Sequence, residues 1–198
     1  VEHAEARKST PIDPVWLCAC IGEVMPKGTT YVDEVTTHTG LVRQHLMWNE
    51  PQAIFSRQGG LGQGLGLSLG VKLAKPDSPV VTIIGDGAFL YNPVLQALGA
   101  SRDFELPIMA VIFNNTKYSA MQGMHLKMYP DGIAVDTDVF HGTHINAPDF
   151  TKVAESFGAY GERVEDPEQV QQALRNGLKA MEEGRSAIID VAIKDYQR

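Results

Sequence analysis

Only two of the 198 residues are cysteine, and no stretch of lysine and arginine is dense enough to track a phosphate backbone. Long apolar runs are missing too: the longest are of strand length, well short of the ~20 residues that cross a bilayer. Each absence excludes something. Cys18 and Cys20, one residue apart in "WLCACIG", give no disulfide framework and read as small buried residues of a protein in a reducing cytoplasm. Net charge is -7, from 17 basic and 24 acidic residues, which argues against nucleic acid as a partner. Without a spanning segment, no membrane partner is expected. There is no initiator methionine and no signal-peptide pattern. The polar opening "VEHAEARKST" reads as a linker over residues 1–10, with one domain over 11–198, and suggests a piece of a longer or processed chain.

Apolar segments alternate with helical patterns along that domain. "TPIDPVWLCACIGEVMP" predicts a helix, with Pro14 in its first turn and Pro26 beyond its end. "TTYVDE" predicts a short strand, and "VTTHTGLVRQHLM" a loop leading to a helix. "SRQGGLGQGLGLSLGVKLAKP" begins glycine-rich and turns helical; it lacks G-x-G-x-x-G spacing and no strand is predicted before it. "SPVVTIIGDG" and "LPIMAVIFNN" are continuous apolar runs, as expected of strands buried on both faces, and "NPVLQALGASRDFE" between them is an amphipathic helix. "TKYSAMQGMHLKMY" predicts a helix, and "PDGIAVDTDVFHGTHINAP" a long loop. Next comes a helix capped by Asp149, a weak strand "YGERVE", and a helix with Asp166 as N-cap, Pro167 first and Gly184 after its end. "RSAIIDVAI" is the last strand. Five strands alternating with helices predict an α/β fold, a mainly parallel sheet covered on both faces. Ligands of such sheets bind beyond the carboxyl ends of the strands.

Asp86 follows one buried strand and Asn115 the next, one crossover helix apart. A right-handed crossover brings both to the same edge. A carboxylate and an amide oxygen are hard donors that suit Mg²⁺ or Ca²⁺ rather than zinc; two side chains are too few for a full cage, and Mg²⁺ commonly completes its shell with substrate phosphates and water. A phosphorylated ligand held through a metal is therefore expected. Gly85 and Gly87 would let backbone approach it, and the following helix start would add N–H donors.

"GDG", about 25 residues, then "NN" is similar to the signature of thiamine diphosphate enzymes. "YVDEVTTHTG", the run from "SRQGGLGQG" to "TIIGDG" and the closing "AIIDVAI" extend the likeness. They resemble the C-terminal domain of the acetolactate synthase, benzoylformate decarboxylase and pyruvate decarboxylase group. The resemblance implies the thiamine diphosphate-binding fold. It implies Mg²⁺ on Asp86, Asn115 and the carbonyl of Lys117. It also implies diphosphate contacts from Thr36, Thr37, Gly87 and Ala88, with Gly85 in the same turn. Gly59 would meet the aminopyrimidine, and Leu61 would be the apolar wedge that bends the cofactor. It implies decarboxylation or carboligation of a 2-oxo acid. No catalytic residue is expected in this chain, because the activating glutamate of the group lies on a separate pyrimidine-binding domain, in the same or another chain of a homodimer or tetramer. A separate subunit of a two-chain decarboxylase, or a non-catalytic assembly domain, are the alternatives. His38, His125, His141 and His144 have no assigned role; "HGTH" at 141–144 reads as surface loop, while His38, His125 and Tyr118 are placed to border a pocket.

Overall fold

The computed structural model describes residues 5–46, 53–56 and 59–195; residues 1–4 of the linker-like segment lie outside them. The chain runs α1 (Pro14–Val24), β1 (Thr30–Glu34), α2 (Thr39–His45), β2 (Ile54–Ser56), α3 (Gly64–Ala74), β3 (Val80–Gly85) and α4 (Asp86–Tyr91). It continues α5 (Val94–Asp103), β4 (Met109–Asn114), α6 (Ser119–Met128), α7 (Ile133–Thr137), α8 (Phe150–Glu155), β5 (Tyr160–Val164), α9 (Val170–Glu182) and β6 (Ala187–Ala192). Among the described residues no helix is long and apolar enough to cross a membrane.

The six strands form one sheet in the order β2-β1-β3-β4-β6-β5, and every neighbouring pair is parallel. Strand alternation splits the core in two. Val81, Ile83, Met109, Val111, Phe113, Ile189 and Val191 face α1 and α9; Val80, Ile84, Ala110, Ile112 and Ile188 face α3, α5 and α8. Burial on both faces explains why these strands read as unbroken apolar runs. The helix at Pro14 starts as its sequence predicts: Asp13 caps it, accepting from the Val15 N–H at 2.8 Å.

Four features depart from the sequence-based expectations. A sixth strand, β2, pairs with β1 ahead of the glycine-rich segment; at three residues it is too short to carry a period. A six-residue helix, α4, follows β3 directly. The long loop after α6 contains α7, which ends at Asp138 in the left-handed region (φ 52°). The last helix begins at Val170 rather than at Pro167, because Asp166 closes a turn instead, accepting from the Glu168 N–H at 2.9 Å while the Gln169 N–H bonds the Asp166 carbonyl at 3.0 Å.

From β1 the chain moves outward to β2; from β3 it moves the other way to β4. The crevice beyond the carboxyl ends of β1 and β3 is therefore the topological switch point, where open parallel sheets bind ligands.

Candidate functional site

A cavity of about 240 Å³ occupies that switch point. Its walls come from four segments: the turn after β1 (Thr36, Thr37, His38), the glycine loop (Gly60, Leu61), the start of α4 (Gly85 to Ala88) and the turn after β4 with the first turn of α6 (Asn115, Lys117, Tyr118, Met121). Nine of the ten positions expected at a cofactor line it; Gly59 stands outside the lining, next to Gly60, at φ 76°.

β3 and β4 are in register so that Gly85 pairs with Phe113, which delivers Asp86 and Asn115 to one edge. Asp86 is 3% exposed, its Oδ1 accepts from the Gly87 N–H at 2.8 Å, and its Oδ2 meets no hydrogen-bond donor among the described residues. Burial pushes its carboxyl up to about 6, against the Gly87 N–H, which favours the anion. A buried carboxylate oxygen without a donor is costly, and a cation beside it removes that cost.

Asn115 is turned by its neighbours. Its Nδ2 donates to Ser119 Oγ at 2.8 Å and Asp195 Oδ1 at 3.3 Å, so Oδ1 is the end left to face the other way, where it accepts from the Lys117 N–H at 3.2 Å. Asp195 also accepts from Ser119 Oγ (2.8 Å) and Lys117 Nζ (3.1 Å). Burial opposes ionisation of Asp195, but the Ser119 hydroxyl and the Lys117 ammonium outweigh it and hold the carboxyl below the usual range. Lys117 bridges His144 in antiparallel fashion, with Tyr118 N–H on the Thr143 carbonyl (2.7 Å) and Ile145 N–H on the Thr116 carbonyl (2.8 Å). That pattern turns the N–H and C=O of Lys117 away from His144, and the N–H bonds Asn115 Oδ1. Between the two, Thr116 holds φ 57°, an uncommon region for a β-branched residue, with its N–H on Asn114 Oδ1 at 3.1 Å. Backbone strain of this kind concentrates at functional turns.

Gly87 is also constrained by the protein beside it. A Cβ there would run into the Tyr118 ring and approach Ile145, so the missing side chain makes room for protein. At Gly85 a Cβ would meet nothing within 4 Å, and there the open side is the cavity.

His38 lines the cavity at 3% exposure, its ring tilted against Phe113 with centroids 5.8 Å apart. Burial lowers it to about 4, with Asp195 pulling the other way, so it is neutral near pH 7. His125 lies instead on α6 against Tyr129 and Phe140, outside the lining. His141 is exposed in a turn and His144 lies in the bridge to Lys117, so "HGTH" forms no helical pair; no cluster of three or more His, Cys, Asp or Glu that suits a metal exists among the described residues.

Three participants were not legible as site residues. Glu34 lines the cavity from the end of β1, Asn92 ends α4, and Asp195 backs Asn115. Apart from the bond of Asn92 to the Ala88 carbonyl, their partners lie 27 to 80 residues away in the chain, so no local spacing marks them.

A donor-poor carboxylate and an oriented amide at the switch point of a parallel sheet are groups that could hold a hard cation. Residues 34–191 match the family model for the thiamine pyrophosphate enzyme, C-terminal TPP binding domain, and the chain belongs to that family. It is similar to the acetolactate synthase large subunit of Buchnera aphidicola subsp. Schizaphis graminum, at 31% identity over 96% of this chain and 32% of that protein. It is also similar to acetolactate synthase of Bacillus subtilis, at 33% identity over 88% of this chain and 30% of that protein. Among solved structures it resembles the thiamine diphosphate-dependent 4-hydroxybenzoylformate decarboxylase of Rhodococcus jostii RHA1, with TM-score 0.82 and 26% identity over 96% of this chain and 34% of that one. Benzoylformate decarboxylase of Polynucleobacter necessarius shares the fold, with TM-score 0.80 at 24% identity over 97% of this chain and 35% of that one. The chain thus spans about a third of the length of these relatives.

Proposed function

We propose that this chain is the Mg²⁺- and thiamine diphosphate-binding domain of an enzyme that decarboxylates or carboligates a 2-oxo acid. The observation that carries the reading is Asp86: a buried carboxylate oxygen with no described donor, on a cavity at the switch point, beside an amide whose Oδ1 its neighbours have aimed. The donor set fits the metal. Asp86 Oδ2, Asn115 Oδ1 and the Lys117 carbonyl are three hard oxygens, few enough to leave Mg²⁺ room for phosphate oxygens and water. Gly87 and Ala88 would donate backbone N–H groups to the diphosphate, Gly87 exchanging its bond to Asp86 for one to phosphate, while Gly85 keeps that wall free of side chain. Thr36 and Thr37, exposed and half-buried after β1, face the same cavity and would hold the diphosphate from across it. Leu61 presents apolar surface, with Gly59 and Gly60 beside it, to the organic part of the cofactor.

When bound, the cofactor supplies an electron sink for the pair left behind as carbon dioxide departs from a 2-oxo acid. The chain's own residues bind, orient and exclude water. His38, buried and neutral near pH 7, borders the cavity as an uncharged imidazole. The activating glutamate is assigned to a pyrimidine-binding domain in the same or another chain of a cytoplasmic homodimer or tetramer. An apolar surface supports such a partner: Met121, Met124, Met128, Tyr129 and Ile133, on and after α6, are 57–80% exposed. The test is turnover: the full-length protein is given a panel of 2-oxo acids and carbon dioxide release is followed. Release that stops with EDTA and returns with Mg²⁺ and thiamine diphosphate supports the reading; release indifferent to both contradicts it.

A further inference from the structure

Glu34 is 1% exposed at the end of β1, and its two carboxylate oxygens are fully engaged. Oε1 accepts from the Gly62 N–H at 2.8 Å and the Gln63 N–H at 3.1 Å; Oε2 accepts from the Gly64 N–H at 2.8 Å and Asn92 Nδ2 at 2.8 Å. Asn92 is 6% exposed and completes the knot, accepting from the Leu65 N–H at 3.0 Å and donating to the Ala88 carbonyl at 2.8 Å. The amide donors at the start of α3 are thus taken up by one carboxylate and one amide, and the anion sits where the helix dipole favours it. Glu34 thus lines the cavity with both oxygens already bonded within the protein.

We infer that Glu34, joined through Asn92 to α4, is a positioning residue that fixes the glycine loop so that Leu61 stands in the cavity opposite Asp86. Two glycines carry the imprint. A Cβ at Gly64 would lie 2.5 Å from Glu34 Oε2, and one at Gly62, where φ is 97°, would lie 2.6 Å from the Tyr91 carbonyl oxygen. The loop is therefore pressed onto β1 and onto the end of α4 at once. The knot reaches α4 only at the Ala88 carbonyl, which also accepts from the Asn92 backbone N–H at 3.2 Å, so the wall that would meet phosphates keeps its own hold when Glu34 is changed. The inference rests on the cofactor reading above.

The test separates the two ends of the ligand. Glu34→Gln puts an amide –NH₂ against the Gly64 N–H and the Asn92 –NH₂. Gly64→Ala pushes on the carboxylate from the helix side and keeps its charge, a second route should Glu34→Gln fold poorly. In the full-length protein both variants are expected to speed hydrogen exchange at residues 62–65. Both should weaken binding of Mg²⁺–thiamine diphosphate at least tenfold and leave binding of Mg²⁺–inorganic diphosphate as in wild type. Unchanged thiamine diphosphate binding, or equal weakening toward both ligands, overturns the positioning role. Wild type that binds neither ligand overturns the cofactor reading, and this inference with it; wild type that binds both while the variants lose nothing overturns this inference alone.

Discussion

Two carboxylates sit about equally deep at the carboxyl edge of the sheet, on either side of β4, and they are built differently. Asp86 is 3% exposed and Asp190 4%. Asp190 spends both oxygens inside the protein, on Asn114 Nδ2 at 2.9 Å and Arg163 Nη1 at 2.6 Å, and borders a second cavity with His144, Asp149 and Glu165. Asp86 keeps one oxygen without a described donor. Burial alone does not mark a functional acid; a carboxylate paired within the protein, such as Asp190, has its oxygens accounted for, and one left open to a cavity is the candidate for a ligand. The same contrast separates Glu34, closed by four bonds, from Asp86 a few residues across the same cavity wall.

Substitutions at each site sharpen the contrast. Asp86→Ala has the largest expected effect: metal-dependent binding of thiamine diphosphate falls ~100-fold or more, as expected for loss of a direct ligand, while the thermal midpoint without ligand holds or rises, because a costly buried oxygen is gone. Calorimetric titration and a melt on the same sample read both. A fall in the ligand-free midpoint would place Asp86 with Asp190 as a structural acid.

Acid stability is next. His38 titrates at about 4 in the folded protein against 6.5 ordinarily, so below pH 6.5 the unfolded chain binds more protons. Its contribution is complete above pH 6.5 and is lost as pH falls toward 4. At ~1.4 kcal/mol per pH unit, the loss is bounded at about 3 kcal/mol. Asp86, pushed up to about 6, gains stability over the same window and offsets that loss, so the His38 share is read as a difference: in urea titrations from pH 7 to 4, His38→Gln is expected to gain stability relative to wild type.

Asp190→Ala is expected to cost about 2 kcal/mol, since it leaves Asn114 and the Arg163 guanidinium without their shared partner, and to leave cofactor binding intact. Arg163 is 37% exposed, which keeps the cost below that of a fully buried pair. Loss of binding with unchanged stability would reverse the assignment of the two acids. Thr116→Gly is the smallest change: relief of the left-handed strain should stabilise the protein by about 1 kcal/mol, read as a rise in melting midpoint.

Much of this architecture was readable from sequence. Continuous apolar runs at 80–85, 109–114 and 187–192 mark strands buried on both sides, and they form the middle of the sheet. The residues after β1, β3 and β4 converge because parallel strands deliver their carboxyl ends to one edge. What stayed hidden has physical reasons. β2 is three residues long with half-buried side chains at Ile54 and Phe55, so pairing with β1 defines it, not periodicity. α4 is packed between a strand and Pro93, shorter than any amphipathic period. Asp166 and Pro167 have the chemistry of a helix start, but Asp166 satisfies the turn before the helix instead. Glu34 and Asp195 matter through partners brought near by strand order, and Gly87 is shaped by a tyrosine 31 positions away that no motif pairs with it.

The central claim is that Asp86 and Asn115 hold Mg²⁺ and, through it, a thiamine diphosphate at the switch point. Calorimetric titration of the full-length protein with thiamine diphosphate, with Mg²⁺ and with EDTA, in wild type and Asp86→Ala, tests it most directly. The account predicts binding in wild type only when Mg²⁺ is present, and its loss in Asp86→Ala. Equal binding by the two proteins, or wild-type binding that ignores EDTA, would contradict it.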